Sequence, residues 1–474
     1  MRKDKLTLAV IVGTRGCFSA DLARRGRKQL LEQIKIAGHR SLILPAGETP
    51  TGAIETVADA RQCADFFQQH RSAIDGVIVC LPNFGDELGI VNTLHWLKLD
   101  VPVLVQASDD ELDKVDTAHR RDAFCGKISV CNNLRQYGIS WTDTTNHTVA
   151  IDSPVFRKDL EFFASVCRVV NGLRRARIGA IGTRPAAFQT MRASEKLLQA
   201  SGITVVPVDL SEIIAAANQV EVKSPRAKRK LAAIKAYGSV APGVANLDAK
   251  FEKHLRLFLA CEDWMRANAI DAAGFQCWTS IQQNFGCATC LTMSMMSDQL
   301  LPCACEVDVA GVTAMYALAL ATGLPAAIVD WNNNYAEDRN KCVAQHCGNY
   351  PKGFVGQPVQ ISNLSVLGSV LGEESCFGSI EARVEPGPMT YLRFSTDDLQ
   401  GRIRGYVGEG EFTADPFKML GSIAVCRIPN LQQLMKYVCK QGFEHHVSMV
   451  RSSCAHIVNE AATTYLGWDM YVHE

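Results

Sequence analysis

The chain has 474 residues, a length that suggests two to four domains. Its hydrophobic share is 47% and its charged share 21%, as in an ordinary globular protein. The formal net charge is zero, so no basic surplus points to nucleic acid or to an anionic membrane as a partner.

The start, MRKDKLTLAVIVGTRG, has a basic stretch and a short apolar run but no small-residue cleavage site. It reads as a first strand ending in a Gly turn rather than as a signal peptide. Strand and helix patterns then alternate: ADLARRGRKQLLEQIKIAG, RSLILPAG, AIETVADARQCADFFQQHR, IDGVIVCLPNFGDE, LGIVNTLHWLKLD, VPVLVQAS. Such β-α alternation predicts a doubly wound parallel sheet over residues 1–165. The second unit, 166–350, opens with RIGAIGTRPAAFQTMRASEKLLQASGITVVPVDLSEI, which repeats strand, Gly turn, helix, strand. Its GAIGTRPAAF turn fits no phosphate-binding fingerprint. The stretch VKSPRAKRKLAAIKAYG reads as the solvated face of a helix.

The run Val309–Val329 carries no charge and is long enough to raise the question of a membrane span. Gly311, Thr313, Thr322, Gly323 and Pro325 interrupt it, and its flanks are acidic. It reads as helix, turn and buried strand, with Asp308 as the helix cap and Asp330 at the strand's end. After about residue 350 short alternating runs cut by Gly and Pro predict a β-rich, barrel-like domain over 351–474. The fold class expected is thus α/β: two Rossmann- or flavodoxin-like domains followed by a β-rich one. The 18 cysteines, with no secretion signal, are expected to be reduced thiols in a cytoplasmic protein.

Ligands of parallel sheets gather at the carboxyl ends of the strands. Glu306 and Asp330 are predicted at two such ends, facing one cleft. His346 follows in VAQHCGNYP, and His445 and His446 stand side by side in FEHHVSMV. Two carboxylates with one or two imidazoles suit Mn2+, Fe2+ or Co2+. The bland alternative is a cap for each acid and a structural role for each His. A second candidate is the C-x2-C…C-x-C set Cys287, Cys290, Cys303 and Cys305, with zinc or iron–sulfur spacing, against which stands simple packing of small buried thiols.

ACEVDVAGVTAMYALALATGLPAAIVDW, QHCGNYP and EHHVSMV together resemble the L-fucose isomerase and L-arabinose isomerase superfamily. The separation of Glu306 and Asp330 is similar to the Glu/Asp metal pair of the fucose enzymes. The separations on to His346 and His446 are similar to later ligands of the arabinose enzymes. The resemblance implies an aldose–ketose isomerase with a divalent cation, usually Mn2+, acting on a small sugar. It implies Glu306, Asp330 and His446 as ligands, with His346 a fourth ligand or a group just behind them. Glu306 would be the base and Asp330 its acid partner. It further implies a homo-oligomer, a hexamer or similar, in which a neighbour's N-terminal domain helps close the pocket. Arg15, Asn83 and Phe84, at strand ends of that domain, would then touch the far end of the sugar; ordinary loop structure is the alternative. Arg184, Trp278 and His445 complete the substrate-binding candidates, Trp278 as a stacking surface or as core. Arg15 and Arg184 would suit an anionic group such as a sulfonate. A non-catalytic sugar-binding protein is the rival reading and needs neither cation nor proton shuttle.

Overall fold

A computed structural model describes residues 4–474. They divide into two compact units: the described residues up to Asn171 with Glu460–Gly467, and Gly172–Asn459 with Trp468–Glu474.

In the first unit five parallel strands form one sheet: β1 (Thr7–Val12), β2 (Arg40–Leu42), β3 (Gly76–Leu81), β4 (Val103–Ala107) and β5 (Thr142–Asp143). Their order is β2-β1-β3-β4-β5, the doubly wound order expected of alternating strands and helices. β3 and β4 are buried along their whole length, because helices cover both faces. The helix Val57–Gln69 starts with a reciprocal capping box between Thr56 and Asp59.

The second unit holds β6 (Arg177–Ile181), β7 (Thr204–Val208), β8 (Ser239–Val240), β9 (Ala272–Phe275) and β10 (Cys303–Ala304). Four of these make a parallel sheet in the order β10-β9-β6-β7. The later strands are β11 (Ala327–Tyr335), β12 (Asp338–His346), β13 (Gln360–Asn363), β14 (Phe377–Arg383), β15 (Gly387–Asp397), β16 (Arg402–Phe412), β17 (Ser422–Arg427), β18 (His446–Val450) and β19 (Asp469–His473). With β8 they build a ten-stranded mixed sheet. Pairing of β16 with β17 closes β16-β15-β18-β11-β12-β17 into a barrel. The fold class is therefore mixed α/β with two parallel sheets and a large mixed sheet.

The uncharged run forms the helix Val309–Thr322, whose residues 309–321 are all buried. Asp308 caps it by accepting the Gly311 N–H at 2.8 Å, and Gly323 ends it in the left-handed region. The helix packs against β6 and β9 on one side and β15 and β18 on the other. Burial on every side explains why it is apolar all round. No helix among the described residues is long and apolar enough to cross a membrane. Gly311 is required by close approach: a Cβ there would stand 2.3 Å from Asp308 Oδ2 and 2.7 Å from an Arg393 guanidinium nitrogen. Gly311→Ala should therefore cost about 1–3 kcal/mol by overpacking, read as a lower thermal midpoint.

One expectation is corrected. β11, whose buried part ends at Val329, just before Asp330, belongs to the barrel and runs antiparallel to β12 and β18. It does not extend the parallel sheet that ends at Glu306. The two acids meet because the buried helix between them connects two different sheets.

Candidate functional site

Glu306 leaves β10 in a tight turn in which Glu306 (φ 55°) and Val307 (φ 54°) both take left-handed backbone. Such a conformation is unfavourable for a β-branched residue and persists only where the surroundings impose it. The turn lies on Gly274 of β9, where a Cβ would stand 2.8 Å from Val307. Glu306 is 4% exposed. Its Oε1 accepts the Trp278 indole N–H at 2.9 Å and the Cys277 thiol at 3.4 Å. Its Oε2 has no hydrogen-bond partner.

The barrel supplies the other groups by strand register. Asp330 on β11 lies directly opposite His446 on β18, so both side chains share a face. His446 Nε2 lies 3.4 Å from Asp330 Oδ1 and 3.5 Å from Glu306 Oε2. His346, at the end of β12, brings Nε2 to 3.8 Å from Glu306 Oε2. Glu306 Oε2, Asp330 Oδ1 and His346 Nε2 are all buried without a hydrogen-bond partner. A cation holding N and O ligands at about 2.1 Å sets neighbouring ligand atoms about 3.0–3.4 Å apart. Two groups that share His446, namely Glu306 with His346 and Asp330 with His445, each hold their ligand atoms within 4.8 Å of one another, and the unpartnered oxygens are what a bound cation's charge would satisfy.

The two imidazoles differ. His446 Nδ1–H donates to Asp308 Oδ2 at 2.9 Å, which leaves the Nε2 lone pair toward Glu306 and Asp330. His346 Nδ1 instead accepts the Cys347 backbone N–H at 2.9 Å, which places the proton of the neutral ring on Nε2. Behind His446 runs a buried charged chain. Arg393 clasps Asp308 with both terminal nitrogens, at 2.5 and 3.1 Å, and donates through Nε to Glu444 at 3.1 Å. Ser395 donates to the other Glu444 oxygen at 2.8 Å.

Burial pushes the Glu306 carboxyl above its ordinary range, partly offset by His346 and His446. Burial opposes charge on His346 while Cys347, Asp330 and Glu306 push the ring up to about 10; because Nδ1 accepts the Cys347 backbone N–H, the ring as folded has room for a single proton, on Nε2. Burial also works against ionised Asp308, but Arg393 and His446 hold it well below the carboxylate range. His445 is lowered by burial and by its neighbour His446.

A cavity of about 320 Å³ opens over these groups. Glu306, Asp330, His346, His445, His446 and Trp278 all line it. Trp278 enters as a hydrogen-bond donor to Glu306, with Phe188 edge-on to its ring at 5.3 Å. His445 Nε2 lies 3.7 Å from Asp330 Oδ1. Arg184 does not join them: it lines a separate cleft of about 980 Å³ with Arg192 and Arg404. Arg15, Asn83 and Phe84 belong to the other unit. There Arg15 pairs with Glu87 at 2.6 Å and lies 4.2 Å over the Phe84 ring, and Asn83 donates to Thr14 at 3.0 Å. The sequence reading missed Arg393, Glu444 and the orienting part of Asp308. A lone Arg within the alternating run MTYLRFS is the signal that was available for the first.

Two family models match this sequence. "Fucose/sulfoquinovose isomerase, N-terminal domain" covers residues 9–174, and "L-fucose isomerase, C-terminal domain" covers 344–473. The second match contains His346, His445 and His446; Glu306 and Asp330 fall between the two. The sulfoquinovose isomerase of Clostridium sp. (strain MSTE9) is 29% identical over 233 residues, 48% of this chain and 50% of its own. That of Priestia aryabhattai is 24% identical over 358 residues, 73% of each chain. That of Alkalicoccus urumqiensis is 22% identical over 305 residues, 63% of this chain and 66% of its own. The match thus spans about half the length of the first of these curated relatives and nearly three quarters of the second.

Proposed function

The chain belongs to the fucose/sulfoquinovose isomerase family of aldose–ketose isomerases, and on that premise we propose that it moves the carbonyl of a free aldose between C1 and C2 through a cis-enediol, with a divalent cation bound. The observation that carries this reading is the convergence of unpartnered buried oxygens of Glu306 and Asp330 on His446 Nε2. A cation such as Mn2+ would be held by Glu306, Asp330 and His446 and would supply Lewis acidity to polarise the sugar's carbonyl.

The chain's own groups do the rest. Glu306, fixed through Oε1 by Trp278, takes the proton from C2 and returns it to C1. Its raised pKa suits a group that must both accept and release a proton. Asp330 passes the hydroxyl proton between O1 and O2. His346 takes the second of the two roles open to it: its Nε2–H donates toward Glu306 or a sugar oxygen rather than binding the cation. Trp278 and Phe188 keep water from the reacting carbons. The reading includes a cytoplasmic homo-oligomer.

Raised Glu306 takes up a proton at higher pH than an exposed glutamate, and the proton competes with the cation. Mn2+ affinity of the cation-free protein should therefore fall as pH drops from neutral into the mildly acid range. Spin-resonance titration of free Mn2+ measures this, and a pH-independent affinity would contradict it.

For the substrate, the cavity's walls carry no Lys or Arg among the described residues; Phe188, Leu364, Val366 and Leu367 face its interior. This favours an uncharged sugar, deoxy or pentose-like, over a sulfonated one. The names of the relatives favour sulfoquinovose, whose sulfonate would then need a cation from a neighbouring subunit, with Arg15 the candidate. The deciding experiment supplies Mn2+ to chelator-treated protein in D2O with fucose, arabinose, rhamnose, glucose and sulfoquinovose. Ketose formation and C2 deuterium exchange are followed by NMR. Conversion of an uncharged sugar supports the first substrate reading, and selective conversion of sulfoquinovose the second. Sugar binding with no exchange on any of them sinks the isomerase reading and favours the sugar-binding rival.

A further inference from the structure

Four thiols gather at the base of the cavity and the reaction above uses none of them: Cys277, Cys290 and the partly exposed Cys347 line it, and the buried Cys305 lies behind, within ligand distance of Cys277 and Cys347. The sequence motif that drew attention to cysteine does not assemble. Cys303 Sγ turns to Met296 Sδ at 3.7 Å, whereas Cys305, two residues on, enters the tight turn before Glu306 and accepts the Asn349 amide at 3.4 Å. Long-range packing builds a different set. Cys305, His346 and Cys347 each bring a ligand atom within 4.8 Å of the others. Cys347 Sγ lies 3.3 Å from His346 Nδ1, on the ring edge away from the Nε2 that faces Glu306.

We propose that Cys305 Sγ, Cys347 Sγ and His346 Nδ1 form a binding site for a thiophilic cation of the Zn2+ and Cd2+ class, separate from the carboxylate site. Two thiolates and an imidazole select soft or borderline ions, whereas carboxylates select harder ones, so the two sites take different metals. Tetrahedral binding with M–S of about 2.3 Å and M–N of about 2.1 Å needs S and N about 3.6 Å apart, close to the separation present. The ring tautomer also agrees. The Cys347 N–H already keeps the His346 proton on Nε2, and a cation on Nδ1 requires that same tautomer. Binding displaces the 2.9 Å hydrogen bond from the Cys347 N–H to Nδ1 and releases the two thiol protons. Cys277, whose thiol lies within 4.8 Å of Cys305, or Cys290, which contacts Cys347, completes the coordination or leaves the place to water. The cavity provides the route of entry.

This inference does not depend on the isomerase reading. The test titrates Cd2+ into the Mn2+-loaded protein and follows the thiolate-to-cadmium charge-transfer absorption together with proton release. One equivalent per chain should bind with that absorption. Cys305→Ser and Cys347→Ser should each weaken it at least tenfold, and the double variant should abolish it. Cys261→Ser and Cys287→Ser, buried thiols outside the set, should leave it unchanged. His446→Gln should also retain it while losing Mn2+, so failure of one site is distinguishable from failure of the other. Absence of the absorption in the unaltered protein overturns the proposal, as does its persistence in the double variant. Should the double variant not fold, the two single variants decide by the same tenfold criterion.

Discussion

Glu306→Gln should lower turnover by about 10²–10⁴-fold, the usual worth of a positioned general base, while the chain still folds and still binds sugar. The substitution is nearly isosteric. Trp278 Nε1–H needs an acceptor at the position of Oε1, so the new carbonyl oxygen stays there and the amide NH2 takes the place of Oε2. That NH2 cannot accept a proton, and it points at His346 Nε2 and His446 Nε2, where a lone pair is needed. Cation affinity should drop with turnover. Steady-state kinetics at saturating Mn2+ and a separate Mn2+ titration distinguish the two losses. Unchanged turnover in this variant would remove Glu306 from the chemistry and leave its strained, buried turn without a functional account.

Arg393→Met should destabilise the protein by about 3–5 kcal/mol, because it leaves Asp308 and Glu444 buried without their shared cation. Arg393 is fully buried and makes the only bidentate contact to Asp308 among the described residues. The loss should also reach the cation site. Asp308 fixes His446 through Nδ1–H, and removing an orienting partner of this kind typically costs 10–100-fold in metal affinity, by about that factor here. Urea unfolding reads the first effect and Mn2+ titration the second. Arg393→Lys keeps the charge but loses the planar fork, so it should fall between the two proteins on both measures. A normal Mn2+ affinity in a folded Arg393→Met protein would show that His446 keeps its orientation without the chain behind it.

Much of the architecture was legible in the sequence because local patterns report it directly. Buried parallel strands read as continuous apolar runs, as in IDGVIVCL and VPVLVQA, and amphipathic helices follow them at regular spacing. The buried helix Val309–Thr322 announced itself by its cap, Asp308, and its stop, Gly323. Glu306, Asp330, His346 and His446 could be named from their spacing and resemblance alone, and the structure brings these four to one cavity.

Tertiary structure decided everything that depends on which strand pairs with which. PAAIVD reads the same whether it extends a parallel sheet or enters a barrel. Its partner β18 lies far along the chain, and only that pairing sets Asp330 opposite His446. The run MTYLRFS reads as one short strand of a β-rich domain, and nothing local says which face Arg393 takes. Arg393 is buried, because Asp308 and Glu444, from distant segments, neutralise it there. Arg184 follows a strand end, as expected of a ligand-binding residue, but its loop opens into a different cleft. The identities of the candidate residues are properties of the sequence. Their tautomers, charges and common focus are not, because each is fixed by contacts between residues the sequence keeps far apart.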